Sequence, residues 1–202
     1  MGTADRIERE RAEKRARILD AARELFVERG VEAVTLREVA QRIEYSTTAI
    51  YVHFEDKAAL LDALVTEDFA RFASGLEAAA RIVDPVARLG VLHDAYVSFA
   101  FQLPRHYQLL FMTPAKEEST KQHPDGPAGV DGYRVLLAAV TECIAQGRFR
   151  ASLTDPHQVA QVIWANVHGL VSLRISKPNF PWPDLDEQID THCGVICAAL
   201  FT

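Results

Sequence analysis

The chain has 202 residues, of which 49% are hydrophobic and 25% charged, and its 22 Lys plus Arg against 28 Asp plus Glu leave a formal net charge of −6. These values exclude a disordered or fibrous chain and allow one large domain, or a small one plus a medium one, with a real core. The acidic total argues against a protein that simply coats nucleic acid.

The pattern is helical nearly throughout. From Arg11 to Arg29 apolar residues recur at Ile18, Leu19, Ala22, Leu25 and Phe26, the three-and-four spacing of an amphipathic helix, and Gly30 is placed to stop it. Thr35-Leu36-Arg37-Glu38 has the form of a capping box and opens a short helix, Leu36 to Ile43. Ser46 is placed to cap a second short helix, Thr47 to His53, and Asp56 a longer one, Lys57 to Arg81. Asp84-Pro85 starts a helix running to Leu103, and Pro104 starts or kinks the next, to Met112. Thr113 to Gly129 holds three Pro and two Gly and reads as a long loop. Helices follow from Val130 to Gln146 and from Asp155-Pro156 to Ser176. Another loop spans Lys177 to Pro183, and Asp184 caps the last helix, to Leu200. That makes nine helices and no convincing strand.

Residues 1–17 are dominated by charge and do not read as a signal peptide. The longest charge-free stretch, Pro156 to Leu173, carries two Gln, an Asn, two His and a Ser, which makes a poor membrane span and suits a helix buried in protein. Three cysteines, Cys143, Cys193 and Cys197, form no framework and suggest reduced thiols. A cytoplasmic protein without membrane contact is expected.

Two short helices separated by a turn of about three residues, with a third helix before them, have the length pattern of a helix-turn-helix. In such a unit the second helix enters the major groove, which admits one α-helix. Small Ala40 lets the two short helices cross closely. Leu36, Val39, Ile43 and Ile50 supply the apolar faces, and Thr47, Thr48, Tyr51, Val52 and His53 the outward face of the second helix.

The stretch Phe26 to Leu61 resembles the DNA-binding domain of TetR-type transcriptional regulators. The matching pieces are Phe-x-x-x-Gly before the first turn, Thr-Leu-Arg-Glu-Val-Ala, and Ile-Tyr-Val-His-Phe-x-x-Lys-x-x-Leu. One departure lies in the turn, where the family usually has Gly and this chain has Glu44 followed by Tyr45. Either Glu44 takes an unfavourable backbone angle with strain, or the turn differs. Ala95 to Met112 and Trp164-Ala165-Asn166-Val167-His168-Gly169 resemble the WHG-type regulatory domain of one branch of these regulators.

The resemblance implies an all-α fold. A three-helix DNA-binding domain would occupy residues 1–58, and a helical ligand-sensing and dimerisation domain residues 59–202. It implies that Thr35, Tyr51, His53 and Lys57 touch phosphates and that Thr47 and Thr48 approach base edges, with Arg37 adding a charge and Ser46 counted with this set. It also implies a pocket for a small, largely apolar effector among Phe69, Phe72, Tyr96, Phe99, Leu103, Tyr107, Phe111, Trp164 and His168, although each of these residues also suits a core. The last two helices, about 156–176 and 185–200, are expected to pair across a two-fold axis in a homodimer. Cys193 and Cys197, four apart, are read as packing; only His192 adjoins them, on another face, so no metal site or cofactor is expected.

The segment Arg6 to Arg17 holds six basic residues and is either a solvated helix or an arm that touches DNA. Residues 1–60 carry 11 basic and 12 acidic side chains, and residues 61–202 carry 11 and 16, so most of the excess negative charge lies outside the reading domain. No zincin motif, phosphate-binding glycine loop, Cys-x-x-Cys or nucleophile elbow is present, which speaks against an enzyme. The rival reading is a helical ligand-binding or adaptor protein without specific DNA binding. Within the DNA-binding reading, the resemblance favours a repressor, bound to operator DNA and released by its effector.

Overall fold

The computed structural model describes residues 3–113 and 132–201. Among these residues there are nine helices: α1 Thr3–Arg29, α2 Leu36–Arg42, α3 Thr47–Tyr51, α4 Lys57–Ala80, α5 Pro85–Gln102, α6 Pro104–Phe111, α7 Gly132–Ala145, α8 Pro156–Ser176 and α9 Leu185–Leu200. The only extended pairing among them is a single antiparallel bridge between Phe149 and Phe201. The expected loop Thr113–Gly129, apart from Thr113, and the expected helix start at Val130 lie outside the described residues.

Side-chain caps set most of the helix starts. The Thr35 hydroxyl accepts from the Glu38 N–H and Glu38 reaches back to the Thr35 N–H, so the capping box forms as its four residues require. Ser46, Asp84, Asp155 and Asp184 each accept from backbone N–H groups of the helix they precede, and Pro85 and Pro156 occupy first turns, where no N–H is needed. Gly30 and Gly147 end α1 and α7 with φ of +81° and +64°, a backbone that glycine adopts without a Cβ penalty. Helix α1 begins earlier than the apolar periodicity indicates, because residues 3–10 continue it for about two turns, charged and exposed over residues 5–10, with Arg6 paired to Glu10 at i, i+4.

The described chain packs as two units: residues 3–70 with 105–113, and residues 71–104 with 132–201. This packing division falls elsewhere than the expected functional boundary after residue 58. In the first unit Ile18, Leu19, Ala22, Leu25 and Phe26 of α1 meet Val34, Val39, Ile50, Leu60, Leu64 and Leu109 in a buried cluster. Within it Arg23 and Asp68 are both buried. The guanidinium donates to both carboxylate oxygens, Nε at 3.0 Å and Nη2 at 2.9 Å, and His106 Nδ1 lies 2.7 Å from Oδ1. The pair therefore ties α1, α4 and α6 together from inside.

The second unit is built on Val140, Cys143, Val159, Ala160 and Leu200, with Leu76, Ala79 and Leu92 in an adjoining cluster. Arg88 of α5 donates to both Glu142 oxygens, at 2.8 and 3.2 Å, and to the carbonyls of Ile82 and Val83, which satisfies a largely buried guanidinium. Helix α8 carries more apolar surface than its own bundle covers. It buries only one face, through Val159, Ala160, Val167, Leu170 and Val171, and leaves Val162 56% and Leu173 53% exposed in the single chain. Charge-free composition marks a helix with more apolar surface than its own subunit covers, which a hydropathy count does not distinguish from full burial.

Candidate nucleic-acid interface

Helices α1, α2 and α3 supply the geometry. Helix α2 ends in a Schellman closure, in which the Tyr45 N–H donates to the Ala40 carbonyl at 2.8 Å and the Glu44 N–H to that of Gln41 at 3.2 Å. This closure puts Glu44 in the left-handed region, at φ +58°, the only positive φ of a non-glycine residue among those described. Of the two alternatives the departure from Gly left open, the chain keeps the turn and bears the strain. Tyr45 anchors the next position: its hydroxyl accepts from Arg17 Nη1 at 3.1 Å, and the Arg17 guanidinium lies 5.1 Å from its ring centroid.

Helix α3 is held by buried Ile50 and capped by Ser46, whose Oγ accepts from the Ala49 N–H at 3.2 Å and keeps its own O–H to donate. Thr48 is exposed, Tyr51 is 56% and Val52 65% exposed, and Thr47 and His53 are half-buried. The face therefore carries hydroxyls that can donate to phosphate or base edges and a valine able to meet a thymine methyl. Arg37 on α2 is also exposed.

Two expected contact residues also make hydrogen bonds within the unit. Lys57 Nζ donates to the carbonyls of Val31 at 3.0 Å, Val34 at 3.1 Å and Glu32 at 3.5 Å, which uses its three N–H groups to hold the turn ahead of α2. The Thr35 N–H and O–H both donate to Glu38 Oε2 at 2.8 Å. These bonds to Thr35, with Arg29 beyond, hold the Glu38 carboxyl down at about 2. Both residues shape the motif, and Thr35 remains exposed while it does so. The signal was ambiguous in the sequence, because a cap and a phosphate contact use the same residue types.

His53 marks the electrostatics of this face. Burial, then the charges of Arg11, Arg15 and Lys14 on α1, push its pKa below the usual histidine value, so the ring is neutral at pH 7. Arg11, Arg15 and Lys14 thus lie near enough to act on the end of α3, and their charges, unlike the burial, favour an anion there. Arg15 also lies over the Phe54 ring, 5.3 Å from its centroid, and pairs with Glu67. Buried Arg23 and Asp68 went unremarked in the sequence; their signal was an arginine set inside the apolar stripe between Ala22 and Phe26.

The expected effector-contact residues divide between the two units. In the first, Tyr107 is fully buried, and Phe111 packs against it and against Phe69, at ring-centroid separations of 5.1 and 6.3 Å. In the second, Phe72 packs on Tyr96 and Phe99 at 5.7 and 5.1 Å, with Leu103 closing α5. Trp164 Nε1 donates to the Tyr96 hydroxyl at 3.2 Å, and that hydroxyl lies 3.1 Å from His168 Nδ1. The indole is the donor of the first bond, and the His168 tautomer sets the direction of the second. Burial lowers the His168 pKa, in keeping with a neutral ring.

A short capped helix presented beyond a strained but closed turn, on a three-helix core with cations beside it, defines a helix-turn-helix DNA-binding protein. Residues 18–64 match the family described as bacterial regulatory proteins, tetR family, and residues 90–193 the tetracyclin repressor-like C-terminal domain. The latter is a broader description than the WHG type expected. The chain is 28% identical over 186 residues to the HTH-type transcriptional activator FasR of Mycolicibacterium smegmatis, covering 92% of this chain and 79% of that protein. It is 45% identical over 130 residues to the HTH-type transcriptional repressor Rv1474c of Mycobacterium tuberculosis, covering 64% of this chain and 63% of that one. The solved SmeT–triclosan complex shares the fold, with a TM-score of 0.68 at 24% identity over 94% of this chain and 92% of that chain. The chain belongs to the TetR family and is a DNA-binding transcriptional regulator; the family is one of regulators, not enzymes. No helix among the described residues is long and apolar enough to cross a membrane.

Proposed function

We propose that this regulator is a cytoplasmic repressor that holds a two-fold-related operator and leaves it when a small, largely apolar effector binds. Residues 1–58 read DNA, and residues 59–202 sense the effector and dimerise. The observation that carries the reading is the outward face of α3, Thr48, Tyr51 and Val52, beside the cations that reach His53. Arg37, Ser46, Thr47, Thr48, Tyr51 and His53 make the contacts, while Thr35 and Lys57 hold the turns that aim them. The aromatic residues around Tyr96, with a Trp164–Tyr96–His168 hydrogen-bonded chain, supply the apolar lining and few polar groups that such an effector needs. Triclosan in the SmeT complex is one molecule of this kind bound by a protein of like fold. The uncovered apolar side chains of α8 and α9, Val162, Leu173 and Val195, suit a homodimer interface.

A gel shift at stated salt with the DNA upstream of the protein's own gene tests the reading. Retarded DNA that a panel of apolar effectors releases supports it. Absence of any sequence-preferring shift returns the protein to the adaptor class, and a monomer in sedimentation at micromolar concentration defeats the dimer. Activation in place of repression is the second reading, favoured by the likeness to FasR, and a reporter gene driven by the bound sequence separates the two.

A further inference from the structure

Helices α5 and α9 of the second unit bring together three side chains that the DNA-reading and effector-sensing roles leave unused. His93, His192 and Cys193 each present a ligand atom, and these atoms all lie within 4.8 Å of one another. Cys193 Sγ is 3.5 Å from His93 Nε2. Around a tetrahedral zinc, with bonds of about 2.3 Å to sulfur and 2.0–2.1 Å to nitrogen, a sulfur–nitrogen edge is about 3.5 Å long. That pair therefore already stands at the separation a shared metal imposes. The third ligand has to move in by about 1 Å to complete a face of the same tetrahedron.

A plain S–H···N hydrogen bond accounts for the Cys193–His93 contact alone. It does not account for His192. Both ring nitrogens of His192 are shielded from solvent and make no hydrogen bond among the described residues, although the Asn166 backbone lies near enough to act on the ring. The ring stacks on that of His93, with centroids 5.7 Å apart and planes 23° apart. Even with the Asn166 backbone serving one nitrogen, the other is shielded and unsatisfied beside a thiol, which is costly unless something binds it. His93 has a carboxylate neighbour of the kind metal-binding histidines carry: its Nδ1 lies 3.3 Å from Asp94 Oδ1, while the sulfur stands 3.5 Å from Nε2 and 3.7 Å from Nδ1. Burial, then Cys197, Asp94 and Asp190, raise the Cys193 thiol, so a bound cation has to displace its proton, while the two carboxylates favour a positive charge there.

We propose that His93, His192 and Cys193 form a thiolate–imidazole site for a thiophilic divalent cation of the zinc type. Three protein ligands leave the fourth position to water, the arrangement of an exchangeable site. The cation clips α5 to α9 within the second unit. Neighbours on its own helix suit Cys193 to packing; the decisive ligand, His93, lies one hundred residues away in sequence.

The test titrates cobalt(II) into the full-length protein, stripped with chelator and kept reduced, with zinc as competitor. Saturation at one cobalt per chain, with a thiolate-to-cobalt charge-transfer band that zinc removes, is the expected result. Cys193→Ser abolishes the band, whereas Cys197→Ser, which removes the neighbouring exposed thiol, leaves it. His93→Gln and His192→Gln each weaken the apparent affinity at least about tenfold, and Asp94→Asn, which alters a positioning residue, by about tenfold. Circular dichroism checks that each variant is folded, and the two histidine variants carry the test if Cys193→Ser is not. No charge-transfer band at stoichiometric cobalt overturns the proposal. So does a band that survives Cys193→Ser, or an affinity indifferent to both histidines.

Discussion

Asp68→Asn removes one charge from the interior of the first unit and almost no volume. The wild-type carboxylate is fully buried and is met by Arg23 Nε at 3.0 Å, Arg23 Nη2 at 2.9 Å and His106 Nδ1 at 2.7 Å. The amide leaves the buried Arg23 guanidinium with solvent-exposed Asp20, 2.7 Å from Nη1, as its remaining carboxylate partner among the described residues, and turns an N–H toward groups that are themselves donors. Breaking a buried pair from one side costs about 3–5 kcal/mol, most of it the buried charge left under-compensated. At a urea slope of about 2 kcal/mol per M, the midpoint falls by about 1.5–2.5 M. Far-UV circular dichroism is the assay, since both tryptophans, Trp164 and Trp182, lie outside this unit. The double change Arg23→Met with Asp68→Leu removes both charges and is expected to cost far less than Asp68→Asn alone. A loss below about 1 kcal/mol for Asp68→Asn refutes the reasoning, as does a double variant as unstable as the single one.

Three other outcomes follow from particular residues. Glu44→Gly relieves a left-handed non-glycine residue at a cost in unfolded-chain entropy, so stability rises by about 0.5 kcal/mol with DNA binding kept; a clear loss of stability contradicts the closure described for α2. Thr35→Ala costs about 1 kcal/mol in denaturant titration. In acid, Glu38, depressed from 4.5 to about 2, contributes fully above pH 4.5 and loses its contribution as pH falls toward 2, so the difference between wild type and Glu38→Gln should shrink over that window. His53 begins with a lowered pKa, and a phosphate beside it raises that value. Binding then takes up a proton, so affinity for DNA increases as pH falls through the histidine range, a dependence that His53→Gln flattens in fluorescence anisotropy.

Much of the fold was legible because its boundaries are written in local chemistry. Thr35 with Glu38, Asp84-Pro85, Asp155-Pro156 and Asp184 each announce a helix start, and each caps one here. Gly30 and Gly147 end helices for the same local reason. The exposed face of α3 was legible too, since one apolar residue, Ile50, fixes which side turns inward. What stayed hidden depends on contacts distant in sequence. Lys57 caps carbonyls 23 to 26 residues upstream, and no spacing rule separates that from a phosphate contact. The Arg23–Asp68–His106 network joins three helices, and the His93–Cys193 approach spans a hundred residues. Helix α8 shows the remaining limit: periodicity identifies an apolar helix, while the share its own subunit covers is settled by packing.

The account rests on the face of α3 reading DNA. The most direct measurement selects bound sequences from a random pool with the wild-type protein. Affinity for the selected site and for an unrelated duplex is then compared, at one stated salt, for wild type, Thr48→Ala and Tyr51→Ala. The account predicts that Tyr51→Ala weakens both by a similar factor, as loss of a phosphate contact does, whereas Thr48→Ala weakens the selected site by about 1 kcal/mol or more and relaxes preference at one base pair. Selection of no preferred sequence, or affinities unchanged in both variants, contradicts it.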